Sequence, residues 1–450
     1  MRAEEYLQSE YDVARCCYKL LDAPLFQQNQ DYVRRQILYC LLQEDDVETL
    51  HLTAAVLLFD GRSNEAAFEM MKDEGAFPRL VELIRNRRDD DFGLHRLLLE
   101  LLFEMSRIQK LTREDLTTVD DNFILYLFQL IEQLSDDAED PYHYPVIRVL
   151  LVLNEQYMCH ANAPSSPSEE IGALTNRILK LLSRHGPSYR TFGENLILLL
   201  NRESELGPQL LILKLLYLLF TTPSTYEYFY TNDLHVLVDV IIRNLLDLDP
   251  GNADSGVSPD LDGQRALRHT YLRVLCPLLK NTQLAHEGNN YKREEVRKLL
   301  YLLVNRSSAH FAAVDETVIR LVIRCKQIEW LREEGDEQDQ AIEEKLAEVA
   351  PNESAVAKKL LGMSIGAAGE SSLSVADVSA KVQKEKPSVP APRRMRKASK
   401  ANGSGKPVQT NGGEKNGALL LPERPGVVVS QGNISRDETR SPFADENAET

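Results

Sequence analysis

Residues 206–248 read LGPQLLILKLLYLLFTTPSTYEYFYTNDLHVLVDVIIRNLLDL. From Leu210 to Phe220 the only charge is Lys214. An apolar run this short falls well below the ~20 residues that cross a bilayer, so it predicts a helix buried inside protein and no transmembrane segment. Beyond Pro223, the residues Leu234, Leu237, Val238, Ile241, Leu245 and Leu248 recur at helical spacing, with Asn232 or Asp233 placed to cap the first turn. Between the two helices sits a polar corner carrying four aromatics in five residues, Tyr226, Tyr228, Phe229 and Tyr230. Two roles are open to them. They can close the corner as a hydrophobic staple, or they can meet a partner, because tyrosine serves both ends.

The same helical periodicity continues on both sides. Apolar positions predict helices over 4–21, 31–42, 47–59, 64–73, 77–85, 94–108, 122–134, 146–158, 169–183, 191–200, 208–220, 234–246, 264–280, 292–303 and 315–332, with no convincing strand pattern. The fold class is therefore all-α. Helices of this length bury their faces only by stacking, and Gly75-Ala-Phe-Pro78-Arg-Leu80-Val81 resembles the start of the last helix of an armadillo repeat, with glycine at the break and proline in the first turn. Weaker echoes begin at Asp121 and Asn232, intervals of 46 and then 111 residues, so the expected architecture is a degenerate armadillo/HEAT-like solenoid over 1–350. Segments 160–168 and 249–263 carry prolines or glycines and are expected as surface loops.

Charge separates two regions. Residues 1–350 hold 37 Lys+Arg against 58 Asp+Glu, net −21, whereas 351–450 hold 15 against 11, net +4. An acidic body repels phosphate backbones, so no nucleic-acid partner is expected. The six cysteines (Cys16, Cys17, Cys40, Cys159, Cys276, Cys325) lie on apolar helical stretches without metal-ligand spacing, and no signal or lipidation pattern is visible, which points to a reducing, cytoplasmic location. There the sequons at Asn305 and Asn352 are chance matches.

The sequence offers no enzyme. It lacks a phosphate loop, a GxGxxG turn, an HExxH helix and a nucleophile elbow. Cys159 and His160 are adjacent, but neighbours on a helix point to different faces. The acidic clusters at 89–91 and 135–140 have no calcium-loop pattern and suit solvated turns. No catalytic residue, metal or cofactor is assigned.

One family resemblance is specific. The run LLYLLF…YEYFYTNDLHVLVDVIIR, followed from Leu267 by LRHTYLRVLCPLLKNT, resembles the leucine-rich armadillo domain of the WISH/DIP/SPIN family, most strongly over 206–282, with similar helical context over most of 1–331. The chain starts directly in helices without a preceding SH3 domain and so resembles the fungal Ldb-type members. The resemblance implies a regulator that binds and activates the Arp2/3 complex without a pre-existing filament, seeding a linear filament at cortical actin patches during endocytosis. The alternative is a passive armadillo scaffold that gathers SH3 proteins. A transport receptor fits less well, since such grooves use tryptophan ladders and Trp330 is the sole tryptophan. On rigid elements, Tyr226, Tyr228, Tyr230, Asn232, Asp233, Arg268, Tyr271 and Arg273 are candidate partner contacts; Arg268 and Arg273 can equally form local ion pairs.

Past Trp330 the sequence turns charged over 333–361, where part is expected to be helical, and from Gly362 becomes rich in Gly, Ala, Ser, Pro and Lys, too poor in apolar residues for a core, which predicts disorder over roughly the last 85 residues. Within it, Lys384-x-x-Pro387-x-x-Pro390, followed by Pro392 and Arg393, fits one orientation of an SH3 ligand, and the resemblance implies SH3 proteins of endocytic sites as partners. The basic run from Arg393 alternatively suits anionic lipid or nuclear import. Ser399 and Ser441 are candidate phosphorylation sites, phosphate at Ser399 weakening the basic patch.

Overall fold

In a computed structural model of the chain, the described residues are 9–88, 91–133, 143–161, 174–248, 259–286, 288–305 and 314–332. Every described residue belongs to one unit of the chain, Met1–Ser388. The acidic segment 135–140, the SH3-ligand residues Lys384 to Arg393, Ser399, Ser441 and the whole 351–450 tail lie outside the described residues.

The described residues form seventeen α-helices and no strand: α1 (Glu10–Leu21), α2 (Pro24–Gln28), α3 (Gln30–Gln43), α4 (Val47–Ser63), α5 (Ala66–Asp73), α6 (Ala76–Asn86), α7 (Phe92–Ile108), α8 (Arg113–Thr118), α9 (Asp121–Gln133), α10 (His143–Ala161), α11 (Arg177–His185), α12 (Arg190–Arg202), α13 (Leu206–Thr221), α14 (Thr231–Asp247), α15 (Pro259–Asn281), α16 (Arg293–Val304) and α17 (Glu316–Lys326). Side-chain caps set the starts of α1, α4, α7, α8, α11 and α17. The carboxylate of Asp46 accepts from Thr49 N at 2.9 Å, that of Asp91 from Gly93 N at 2.7 Å, and Thr112 with Asp115 closes a capping box on α8. Gly75, between α5 and α6, has φ 71°, a left-handed break that glycine adopts without strain.

Packing follows two rows. Helices α4, α7, α10, α13, α15 and α17 each contact the next, and beside them run α3, α6, α9, α12, α14 and α16, likewise each on the next. The short α5, α8 and α11 bridge the rows. This is the three-helix armadillo repeat stacked into a solenoid, shortened after α12 to two helices joined by a 3-10 turn, and one continuous apolar core runs through it. The 111-residue gap between the second and third repeat echoes is occupied by α12, where a 3-10 turn, Gly186–Ser188, replaces the glycine break of Gly75 and erases the sequence signature.

Three expectations are corrected. Residues 259–263 belong to α15 instead of a loop; Gly263 is buried there because Leu206 closes over it, 2.5 Å from where a Cβ would stand. In the segment 160–168, His160 and Ala161 complete α10, and the remainder lies outside the described residues. Among the described part of 169–183, residues 174–176 carry no regular secondary structure and the helix starts at Arg177 with Asn176 as its cap.

Buried polar pairs join helices both between the rows and along one row. Arg34 on α3 holds Asp60 on α4 by two bonds of 2.6 and 2.8 Å, and Lys214 on α13 meets Glu155 on α10 at 2.5 Å. Farther along, His269 on α15 is fully buried with Nε2 2.7 Å from Asp315, the cap of α17, which also accepts from Arg265. Burial alone would raise the Asp315 carboxyl, but the bonds from His269 and Arg265 hold it well below the usual range. Burial pulls the His269 imidazole down from its ordinary value against the pull of Asp315, so the folded chain refuses a proton that the unfolded chain binds. Stability is accordingly expected to fall as pH drops below about 6.5, the ordinary histidine value. Denaturant titrations at pH 7 and pH 5.5 check this, and His269→Gln flattens the difference. Asp315, titrating far lower, does not contribute in that window.

Candidate partner-binding surface

The tyrosine corner is built by the way α13 ends. Thr222 closes the helix, and Pro223–Thr225 makes a 3-10 turn in which Thr225 Oγ1 donates to the carbonyl of Leu219 at 2.7 Å. The chain then turns through four aromatics that take three different directions. Tyr228 and Phe229 point inward. Phe229 packs on Phe220 with ring centres 5.6 Å apart, and Tyr228 stands edge-on to Phe229 at 5.0 Å. The Tyr228 ring seats against Gly186 and Gly193, where a Cβ would come within 3.0 and 2.9 Å of it, and its hydroxyl donates to the carbonyl of Tyr189 at 2.5 Å. Burial pushes that hydroxyl far above the usual phenol range, so it stays a donor.

Tyr230 points outward, 56% exposed, with the Arg190 guanidinium 4.6 Å from its ring centre. Arg190 also donates to the carbonyl of Glu227 at 3.2 Å, which pins the corner to α12. Asn232 is exposed, and Val236, four residues on and so on the same face of α14, is 52% exposed. The N-cap of α14 is Tyr230, not Asn232 or Asp233; Asp233 sits three residues in and accepts from the Tyr230 backbone N–H at 3.4 Å.

Tyr226, half-buried, faces a third way. It lines a groove of about 1400 Å³ walled by α13, α15, α17 and the turn that follows α17, and it separates this groove from a second of about 300 Å³ beside Pro223 and Gln283. Arg273 lies on the same groove wall, together with Lys280, Arg324, Trp330 and Arg332. Tyr226 and Arg273 are thus brought together, while Tyr228, Tyr230 and Asn232 are not part of that wall.

Four of the candidate contacts are corrected by burial. Tyr228 is in the core. Tyr271 is fully buried; its hydroxyl donates to Gln209 Oε1 at 2.9 Å and accepts from Asn244 at 2.7 Å, tying α13, α14 and α15 into one knot, and burial pushes it up to about 12. Arg268 is buried and donates to the Leu248 carbonyl at 3.1 Å, holding the end of α14. Arg273 is 3% exposed, and burial pulls its guanidinium down to about 10, so it contributes charge to the groove floor more than a reaching side chain. The residues missed by sequence reasoning are Lys280, Arg324 and Arg332: they come from segments about 50 residues apart, and nothing local in the sequence marks them as neighbours.

Among the described residues no group of three or more His, Cys, Asp or Glu could hold a metal, and no helix is long and apolar enough to cross a membrane.

A family model described as the SPIN90/Ldb17 leucine-rich domain matches residues 139–296, the stretch that holds the corner and all of α15. Protein dip1 of Schizosaccharomyces pombe is 31% identical over 335 residues, covering 74% of this chain and 85% of that protein. This chain belongs to the SPIN90/Ldb17 family. Protein LDB17 of Eremothecium gossypii is 28% identical over 360 residues, 72% of this chain and 73% of that protein. LDB17 of Saccharomyces cerevisiae is 34% identical over 270 residues, 56% of this chain and 49% of that protein. These are the fungal Ldb-type relatives of the WISH/DIP/SPIN family that the corner motif resembles, and in this SPIN90/Ldb17 member the motif's tyrosines divide between core, groove and solvent.

Proposed function

We propose that this chain is a non-enzymatic actin regulator that binds and activates the Arp2/3 complex, seeding linear filaments at cortical endocytic patches. The observation that carries this is the family membership, whose matched region spans the tyrosine corner and the groove wall of α15. Binding activates only if the solenoid has higher affinity for the filament-like arrangement of the complex than for the inactive one. A stacked-helix body with one continuous core is rigid enough to express such a difference. The contact residues we assign are those the fold leaves accessible: Tyr226 at the groove, and Tyr230 and Asn232 on the rim, with Asp233 holding the helix start. Lys384, Pro387, Pro390, Pro392 and Arg393 recruit SH3-domain proteins, with phosphorylation at Ser399 and Ser441 as the modulating chemistry.

The test is actin assembly with purified Arp2/3 complex, the full chain and no preformed filaments. Acceleration with unbranched products supports the proposal; no acceleration leaves the scaffold that only gathers SH3 proteins. The double change Tyr230→Ala and Asn232→Ala is expected to slow nucleation by about tenfold, the loss of a contact of ~1–2 kcal/mol, while thermal unfolding stays unchanged because both side chains are exposed.

A further inference from the structure

The 1400 Å³ groove differs in charge from the protein around it. Its described lining holds Arg273, Lys280, Arg324 and Arg332 against the single carboxylate Glu329, in a chain whose net charge is −17. Glu287, outside the described residues, follows the lining residue His286 in sequence and leaves the excess positive even if counted. The groove exceeds the ~300–1,000 Å³ of small-molecule sites, and its size suits a peptide.

The described chain ends on this groove. Trp330 Nε1 donates to the carbonyl of Leu279 at 3.0 Å, next to Lys280, and Arg293 donates to the carbonyls of Trp330 and Arg332, each at 2.7 Å. The exit point is therefore fixed at the groove's edge. The next twelve residues, 333–344, read EEGDEQDQAIEE: seven carboxylates and no cation. Extended, twelve residues reach up to about 40 Å, ample to enter the groove from Arg332. A short tether raises the local concentration of such a segment to the order of mM, enough to hold even a weak electrostatic contact.

We infer that the acidic segment 333–344 of this same chain occupies the basic groove, so that a partner seeking the groove must displace it. The inference does not depend on the Arp2/3 proposal, and its test contains no actin. A fluorescent peptide of sequence 333–344 is titrated onto two full-length chains, the native one and one in which the seven carboxylates of 333–344 are replaced by their amides. The native chain is expected to bind the peptide about tenfold or more weakly than the amide chain, because its own segment competes at ~mM effective concentration. Adding Lys280→Glu to the amide chain is expected to weaken the peptide by about tenfold, and raising salt to about 0.5 M to abolish binding. Lys280 is exposed, so its reversal tests the groove without disturbing the core. Equal affinity for native and amide chains, or indifference to Lys280→Glu, overturns the inference. Carbodiimide cross-linking of mixed light- and heavy-isotope native chains decides the occupant: links from Lys280 to 333–344 within one chain support it, and links only between chains assign the groove to a second copy and overturn it.

Discussion

Glu155→Leu is expected to lower folding stability by about 3–5 kcal/mol, the cost of leaving a buried cation without its counter-charge. Lys214 lies 7% exposed in the middle of α13 with its Nζ 2.5 Å from Glu155 on α10, so the leucine strands an ammonium among apolar neighbours. Both α10 and α13 belong to the same row of the solenoid, and each repeat depends on contact with its neighbour, so the loss is felt on both sides of the α10–α13 contact. Denaturant-induced unfolding followed by far-ultraviolet circular dichroism measures it. The double variant Glu155→Leu with Lys214→Met removes both charges and is expected to recover most of the loss, since an apolar pair of similar size often matches a buried ion pair. A double variant as unstable as the single one would show that the charge was not the cause.

Tyr228→Ala is expected to cost about 3–5 kcal/mol and to abolish nucleation together with stability. The ring fills the space that Gly186 and Gly193 leave open and contacts Phe229, and its hydroxyl serves the Tyr189 carbonyl, so truncation opens a cavity and orphans an acceptor at once. Tyr228→Phe keeps the packing and loses only the hydroxyl, with an expected cost of about 1–2 kcal/mol. Tyr230→Ala beside it, exposed and stacked under Arg190, is expected to leave the unfolding transition within about 0.5 kcal/mol. The contrast between neighbours two residues apart separates tyrosines that hold the corner from those that can meet a partner. Equal stability losses at 228 and 230 would contradict this division.

The helices were legible because burial imposes a period that the chain carries locally. Leu234, Leu237, Val238, Ile241 and Leu245 recur at helical spacing and all five are buried in α14. The repeat was legible where its start uses glycine and proline, as at Gly75 and Pro78, and illegible at α12, where a 3-10 turn does the same work with different residues. α2 and α8 were missed because helices of five and six residues are too short to show a period. For the site, the polarity of a residue was a poor guide to its exposure. Arg268, Tyr271 and Arg273 are amphipathic side chains on a helix packed against both α13 and α17; Arg268 finds a backbone carbonyl and Tyr271 two side-chain amides inside the protein, and Arg273 is buried beside them.

By itself, the sequence determined the helical class, the buried character of α13, the repeat logic and, through the corner motif, the family, because each is written in neighbouring residues and their periods. The tertiary structure alone decided that Lys214 is neutralised by Glu155, that the corner's tyrosines part in three directions, and that Lys280, Arg324 and Arg332 share one groove. The physical reason is that stacking repeats brings together side chains some 50 residues apart, and only that contact decides which polar groups are sealed in and which remain to bind.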